Sequence, residues 1–332
     1  MMRKLFCLLM LGGALVACEQ SPIDDVALEK HTVTFAAEIE ADADSRTHLA
    51  GSQNYWDADD QIGGFAQGNN NVLFSTIEGK TGYFTGDIVG DPDQFYLYYP
   101  YQEDATFSGT TLSATLPSVQ KLVSGSTHDV LPMVAITDTF DKLISFKNAC
   151  GLLKVAVKSA TRRTLASLTV EAADPNVAVC GPYKINMSNP NSPVLTMQSQ
   201  GVASSVTLEG EVVLRPSEVK YFFVVLPPAT YNGGYNITLT DVDGNVFKTA
   251  DHPDLYDFTS TFTLKASKMK KVPTIIEFID EPVVGETALE LTSLAAATPA
   301  TSFTIDQEAM TAQANLSGYT NASATRLTLG YK

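Results

Sequence analysis

The sequence predicts an all-β protein of short antiparallel strands, and three observations carry this prediction. Residues Tyr221–Leu226 form a continuous run of aromatic and β-branched side chains, which is typical of a strand covered on both faces. Residues Tyr235–Thr240 alternate apolar with polar side chains, as in a strand with one face in water. Asp243-Gly244 then gives a hairpin signal, and no window of the chain combines a long helical period with a capping residue. We therefore expect an antiparallel sandwich here and little helix anywhere.

Residues 1–17 predict an export signal. The apolar run Leu5–Val16 is too short to cross a bilayer, because a spanning helix needs ~20 residues. Leu15-Val16-Ala17-Cys18 resembles a bacterial lipobox, with cleavage before Cys18 and lipid on its thiol. An ordinary signal peptide that contains Cys18 is the alternative. Lipidation would give stable anchoring, since several acyl chains hold a protein on a membrane where one is marginal.

Residues 18–30 are predicted to be a tether between the lipid and the first strand. The acidic residues close behind Cys18 resemble the surface-export signal of Bacteroidetes lipoproteins. The sequence therefore predicts an outer-membrane lipoprotein that reaches the cell surface and touches the membrane through its lipid.

Composition argues against nucleic acid as a partner. The 332 residues carry a formal net charge of −15, which also disfavours binding to an anionic membrane by charge. A chain of this length has room for two domains of ~100–200 residues each. Outside the signal and the lipobox the cysteines are Cys150 and Cys180. A disulfide between them stays open, but their apolar strand context favours buried free thiols.

Residues His31–Ile39 predict an amphipathic strand that begins an N-terminal domain, residues 31–140. Its apolar face carries Val33, Phe35, Ala37 and Ile39, and its polar face carries the residues between them. Further short strands, separated by Gly, Asn and Asp clusters, are expected at Val72–Glu78, Gly82–Asp87 and Gln94–Pro100.

Residues 141–280 predict a C-terminal domain of the same kind, after a linker at Thr137–Lys142. Its expected strands are Leu165–Ala172, Pro182–Met187, Ser205–Val213, Tyr221–Leu226, Tyr235–Thr240 and Thr259–Lys265. Residues 281–332 begin as a Pro-, Thr- and Ala-rich linker and end as a short β-rich extension. This extension is either the start of an immunoglobulin-like module or a strand for a neighbouring subunit, and both alternatives stay open.

Several motifs, in this order, resemble the fimbrillin (Mfa-like) family of Bacteroidetes surface fimbriae. They are Tyr55–Ile62, Leu143–Val155, Tyr221–Val246 and the lysine-rich segment Lys265–Val272. The resemblance spans about residues 31–278, most of the chain after the signal. The resemblance implies two transthyretin-like antiparallel β-sandwich domains in tandem, followed by the short β-rich C-terminal extension.

The resemblance also implies a way of assembling. In that family an arginine-specific cut removes the first strand, and a strand from the next subunit fills the open groove. Arg46, followed by Thr47, is the position that matches, and it is the only arginine between the signal and Arg162. A loop arginine of no consequence is the alternative. The candidate displaced strand carries Val33, Phe35, Ala37 and Ile39.

The sequence offers no catalytic constellation, so no enzyme, cofactor or metal site is predicted. Asp241–Asn245 could suggest calcium, but an EF-hand loop would need glycine and glutamate where Val246 and His252 stand. A hairpin turn explains the same residues. The acidic loop at residues 57–60 could chelate a cation, although such loops are usually just solvated. The aromatic strand Phe95–Tyr101 could stack a sugar, although such strands usually form core.

Two functions from different classes follow. The first is a structural or accessory subunit of a surface fimbria (type V-like pilus) that joins other fimbrial subunits and supports adhesion to a host or bacterial surface. The second is an outer-membrane lipoprotein that binds glycans for uptake. A detachable first strand favours the first function, and an exposed aromatic platform would favour the second. The sequence shows the first feature, so we predict a fimbrial subunit.

Overall fold

The computed structural model describes residues 29–39, 56–127, 129–189, 191–279, 302–306 and 311–315. Within these ranges the chain is built from β-strands, and its one helical turn is the 3₁₀ segment Thr249–Asp251. The prediction of an all-β fold is confirmed. No helix in the described ranges is long and apolar enough to cross a membrane.

The strands follow one another closely along the chain. The first twelve are β1 (Lys30–Ile39), β2 (Gln61–Ala66), β3 (Asn69–Ile77), β4 (Lys80–Val89), β5 (Phe95–Tyr99), β6 (Thr106–Ser108), β7 (Thr111–Leu116), β8 (Val119–Lys121), β9 (Met133–Thr137), β10 (Ile144–Asn148), β11 (Gly151–Ser159) and β12 (Arg163–Ala172). The next twelve are β13 (Gly181–Asn186), β14 (Val194–Met197), β15 (Ser205–Leu214), β16 (Lys220–Leu226), β17 (Ala229–Tyr231), β18 (Tyr235–Asp241), β19 (Val246–Lys248), β20 (Phe262–Leu264), β21 (Met269–Lys271), β22 (Ile276–Phe278), β23 (Ser302–Asp306) and β24 (Thr311–Asn315).

The first sheet closes on itself. Its strand order is β1-β10-β9-β5-β2-β3-β4, and β4 pairs again with β1. Every pair is antiparallel except β1 with β10, which run parallel. A second sheet, β14-β13-β7-β6, contributes Leu112 and Tyr183 to the same aromatic core. Gly63 on β2 allows the Tyr98 ring into this core, since a Cβ there would lie 2.0 Å from Cε1 of that ring.

A second core lies between two further sheets. Their strand orders are β19-β18-β12-β15-β8 and β16-β11-β21, with β22 also paired to β11. The strand predicted from Tyr221–Leu226 is β16, and its residues from Phe222 onward are buried as predicted. The alternating strand is β18, in which Tyr235, Ile237 and Leu239 are buried.

Each half of the chain contributes strands to a sheet that is built mainly by the other half. Strand β8 pairs with β15, and the Gln120 side chain on β8 bonds both backbone groups of Val225, at 3.0 and 3.1 Å. In the other direction, the β13–β14 hairpin pairs with β7. Residues 137–142, predicted as a linker, connect the antiparallel neighbours β9 and β10 of one sheet. The division into domains at residues 140 and 141, and the transthyretin-like arrangement, stay predictions.

A separate C-terminal unit comprises residues 282–332. Its described residues form one antiparallel hairpin, in which β23 and β24 pair from Ser302 with Asn315 to Asp306 with Thr311. This hairpin lies within the extension that the sequence predicts to be β-rich.

Candidate functional site

The first strand closes the first sheet between two different partners. Residues Lys30–Ala36 of β1 pair antiparallel with Tyr83–Val89 of β4. Residues Ala37–Ile39 pair parallel with Ile144–Phe146 of β10. Loss of β1 would therefore leave both β4 and β10 with an unpaired edge, and such an edge is a template for another strand.

The inner face of β1 is the face that the sequence predicts. Phe35 and Ala37 are buried, and Val33 and Ile39 are partly buried against the first core. The Phe35 ring has three aromatic neighbours, with centroids 5.3 Å from Phe74, 5.8 Å from Phe84 and 5.3 Å from Phe140. Phe35 is thus the side chain that attaches this strand most firmly to the core.

The outer face of β1 carries weaker contacts. Thr32 Oγ1 donates to Asp87 Oδ1 at 2.6 Å, and Lys30 Nζ lies 3.1 Å from Asp87 Oδ2. The Thr32 hydrogen bond and then Lys30 hold the pKa of Asp87 below its usual range. Because these groups are exposed, their ion pair adds little to stability. Attachment of the strand therefore depends on its inner face and on backbone pairing.

Trp56 holds β1 in place by a buried hydrogen bond, and its ring packs in the first core. Its indole Nε1 donates to the backbone carbonyl of Ala37 at 2.8 Å, and this bond is buried. The indole ring packs edge-on against Phe84, Tyr99 and Phe146, at centroid distances of 5.0, 5.2 and 5.4 Å. The sequence motif around Trp56 gave no sign of this bond, because its partner lies nineteen residues earlier along the chain.

The acidic loop after Trp56 contains a buried carboxyl rather than three solvated ones. Asp60 accepts from the Tyr99 hydroxyl at 2.7 Å and from the backbone N–H of Asp57 at 2.6 Å. Burial raises the pKa of Asp60 to about 6, although both hydrogen bonds favour its charged form. Asp129, which pairs with Lys121 at 2.9 Å, raises it further by its negative charge. The expectation of a solvated loop is therefore wrong for Asp60.

The Asp241 carboxylate forms hydrogen bonds and an ion pair with other groups of the protein. It accepts from the backbone N–H groups of Asp243 and Asn245, at 3.0 and 2.8 Å, and from the Asn245 side chain at 2.9 Å. It also pairs with buried Arg163. Burial opposes the charged form of Asp241, but the bonds from Asn245 and Arg163 outweigh it and hold its pKa low. Among the described residues, no group of three or more His, Cys, Asp or Glu could hold a metal ion.

The remaining predicted positions divide into two sets. Cys150 and Cys180 are buried free thiols, and burial raises the pKa of both, which makes them unreactive. Cys18, Arg46 and Thr47 lie outside the described residues. The structure therefore describes the candidate displaced strand but not the candidate lipid and cleavage positions.

These features define an all-β protein whose first sheet is completed by its own first strand. Similar solved structures include a candidate cell adhesion protein of Bacteroides ovatus, at 12% identity and a TM-score of 0.44, with 73% of this chain and 92% of that one covered. A second, from Bacteroides uniformis, has 18% identity, a TM-score of 0.37, and 72% and 92% covered. A tip fimbrial protein of Porphyromonas gingivalis with a C-terminal truncation has 12% identity, a TM-score of 0.29, and 66% and 81% covered.

No family model matches the sequence, and no curated protein matches it at a significant level.

Proposed function

We propose that this chain is a structural or accessory subunit of a surface fimbria (type V-like pilus) that supports adhesion. In this proposal it is exported as an outer-membrane lipoprotein through Cys18 and assembles with other fimbrial subunits by protease-triggered strand exchange. The observation that carries the proposal is the position of β1. It completes a closed sheet between β4 and β10, and the segment that holds Arg46 follows it directly in sequence.

The energetics of β1 make a cut after Arg46 consequential. Full burial of a side chain such as Phe35 contributes ~1.5–3 kcal/mol, and the partly buried Val33 and Ile39 contribute less each. Their sum is a large fraction of the ~5–15 kcal/mol that stabilises a typical domain. A first sheet that lost β1 would therefore stay folded only if another strand took its place.

Strand replacement needs the cut because the uncut chain always holds its own strand at high local concentration. After cleavage between Arg46 and Thr47, β1 and Trp56 belong to separate chains, and β1 is held by noncovalent contacts alone. A strand from another subunit can then add to the edges of β4 and β10, which is β-augmentation. Uncut chains are expected to stay monomeric.

The test uses an arginine-specific protease on the purified chain. Wild type should release its N-terminal segment and form oligomers that resist SDS at room temperature, whereas Arg46→Ala should stay monomeric. Arg162→Ala removes an exposed arginine elsewhere in the chain and is the matched control, expected to behave as wild type. Wild type that is cut after Arg46, stays monomeric and keeps its first core folded would overturn the assembly proposal.

Anchoring is tested separately at Cys18. Cys18→Ser should leave the membrane fraction and incorporate no labelled palmitate, because the thiol is the proposed site of lipid attachment. Cys150→Ser keeps the lipobox and serves as a control that should stay membrane-bound. Two results together would show that the chain is not a lipoprotein. The Cys18→Ser variant would remain in the membrane fraction, and the wild type would incorporate no labelled palmitate.

A further inference from the structure

A groove of about 540 Å³ lies at one end of the closed first sheet. Three connections surround it: the β2–β3 turn at Gln67 and Gly68, the β4–β5 connection at residues 92–94, and the β6–β7 turn at Gly109. Its size is within the ~300–1,000 Å³ that is usual for small-molecule sites. The proposed strand exchange does not use this groove.

Aromatic rings form one wall of the groove. Phe65 is buried and stacks on Phe107 with centroids 5.4 Å apart and an interplanar angle of 15°. Tyr96 and Phe107 are partly exposed, with centroids 4.6 Å apart. Tyr96 donates its hydroxyl proton to Gln94 Oε1 at 2.7 Å, which fixes the ring direction. The groove therefore presents two partly exposed rings, and the buried Phe65 ring supports Phe107 from behind.

The rim of the groove carries polar groups that are free to bind. The side chains of Gln67, Asn70 and Asp93 are exposed and make no hydrogen bond to any residue that the structure describes. The β2–β3 turn, which carries Gln67 and leads into Asn70, is held in place by buried Asn69. This side chain exchanges two hydrogen bonds with the Val89 backbone, both at 2.8 Å.

We propose that this groove binds a neutral saccharide. A pyranose has an apolar C–H face, which packs on an aromatic ring, and an edge of hydroxyl groups that both donate and accept. Amide side chains match such hydroxyls because each amide supplies both a donor and an acceptor, and Asp93 adds an acceptor. No lysine or arginine stands among the described residues that line the groove, so phosphorylated and sulfated ligands lack a counter-charge there.

The test is saturation-transfer NMR on the full chain in a detergent without a sugar headgroup. The probes are methyl glycosides of glucose, galactose and mannose, maltohexaose, and galactose 6-sulfate. At least one neutral probe should receive saturation at its ring protons, and galactose 6-sulfate should receive less than neutral galactoside. Tyr96→Ala should weaken binding by about tenfold or more, and Asn70→Ala by several-fold, as expected for one lost ring contact and one lost amide.

Tyr83→Ala is the matched control, because Tyr83 is an exposed tyrosine on β4 outside the groove. It should bind as wild type, and Trp56 fluorescence should show each variant folded. The proposal is overturned if no neutral probe receives saturation, if Tyr96→Ala binds as wild type while folded, or if Tyr83→Ala loses as much affinity. The uncut chain is used throughout, so failure here leaves the strand-exchange proposal standing, and the reverse also holds.

Discussion

Phe35→Ala should destabilise the first core far more than a neighbouring substitution on the same strand. Phe35 is 2% exposed and contacts three rings, so truncation removes apolar burial and leaves a cavity. A buried Phe→Ala change costs about 3–5 kcal/mol. With a urea m-value of about 1–3 kcal/mol/M, the unfolding midpoint should fall by roughly 1–5 M. Thr34→Ala changes an exposed side chain on the opposite face and should shift stability by no more than about 0.5 kcal/mol.

The assay can report the first core specifically. Trp56 is the only tryptophan of the chain, is buried in this core and bonds Ala37 of β1. Its fluorescence during urea unfolding therefore follows closure of the first sheet. Equal midpoint shifts for Phe35→Ala and Thr34→Ala would refute the reasoning, because β1 would then contribute no core contact of consequence.

Two further predictions concern Asp60 and Gly234. Asp60 has a folded pKa of about 6, raised above its ordinary 3.8, so its contribution to stability is greatest below about pH 4 and is lost as pH rises through 6. Asp60→Asn should remove on the order of 2 kcal/mol of the difference in stability between pH 4 and pH 7, measured by urea unfolding; an unchanged difference would contradict the assignment. Gly234→Ala should cost several kcal/mol in thermal unfolding, because φ is +76° and a Cβ would lie 1.7 Å from the Phe258 carbonyl oxygen. Gly244→Ala, at φ +85° with nothing within 4 Å, should cost only about 1 kcal/mol, and equal losses would contradict the steric reason.

Local pattern was enough to find the strands that matter most. The alternation in His31–Ile39 identified β1 and its inner face, and the runs at Tyr221–Leu226 and Tyr235–Thr240 identified β16 and β18. These patterns come from the two-residue repeat of a strand, which can be recognised in a few consecutive residues.

Features that depend on contacts between distant residues could not be found in this way. The parallel pairing of β1 with β10 joins residues more than a hundred positions apart, and the β13–β14 hairpin crosses to β7. The Phe95–Tyr101 strand was expected to be core, and most of β5 is, but Tyr96 keeps a partly exposed ring in the groove. Nothing in a local alternation distinguishes that ring from its buried neighbours.

The inner face of β1 has a large residue, Phe35, at a first position and a small one, Ala37, at a second, and this order limits which foreign strand could complete the sheet. Aromatic rings surround the Phe35 position. At Ala37 the backbone carbonyl accepts a hydrogen bond from Trp56, and a Cβ added to Gly82 would lie 3.3 Å from the same carbonyl oxygen. A strand with bulk at the second position would have to fit where the native strand buries only a methyl group, and one with a small residue at the first would leave a void. A slip of one residue would turn every side chain to the wrong face. If strands are exchanged as proposed, the gap left by β1 would accept only strands whose inward side chains match in size and order, and mismatched subunits would be excluded without a separate proofreading factor.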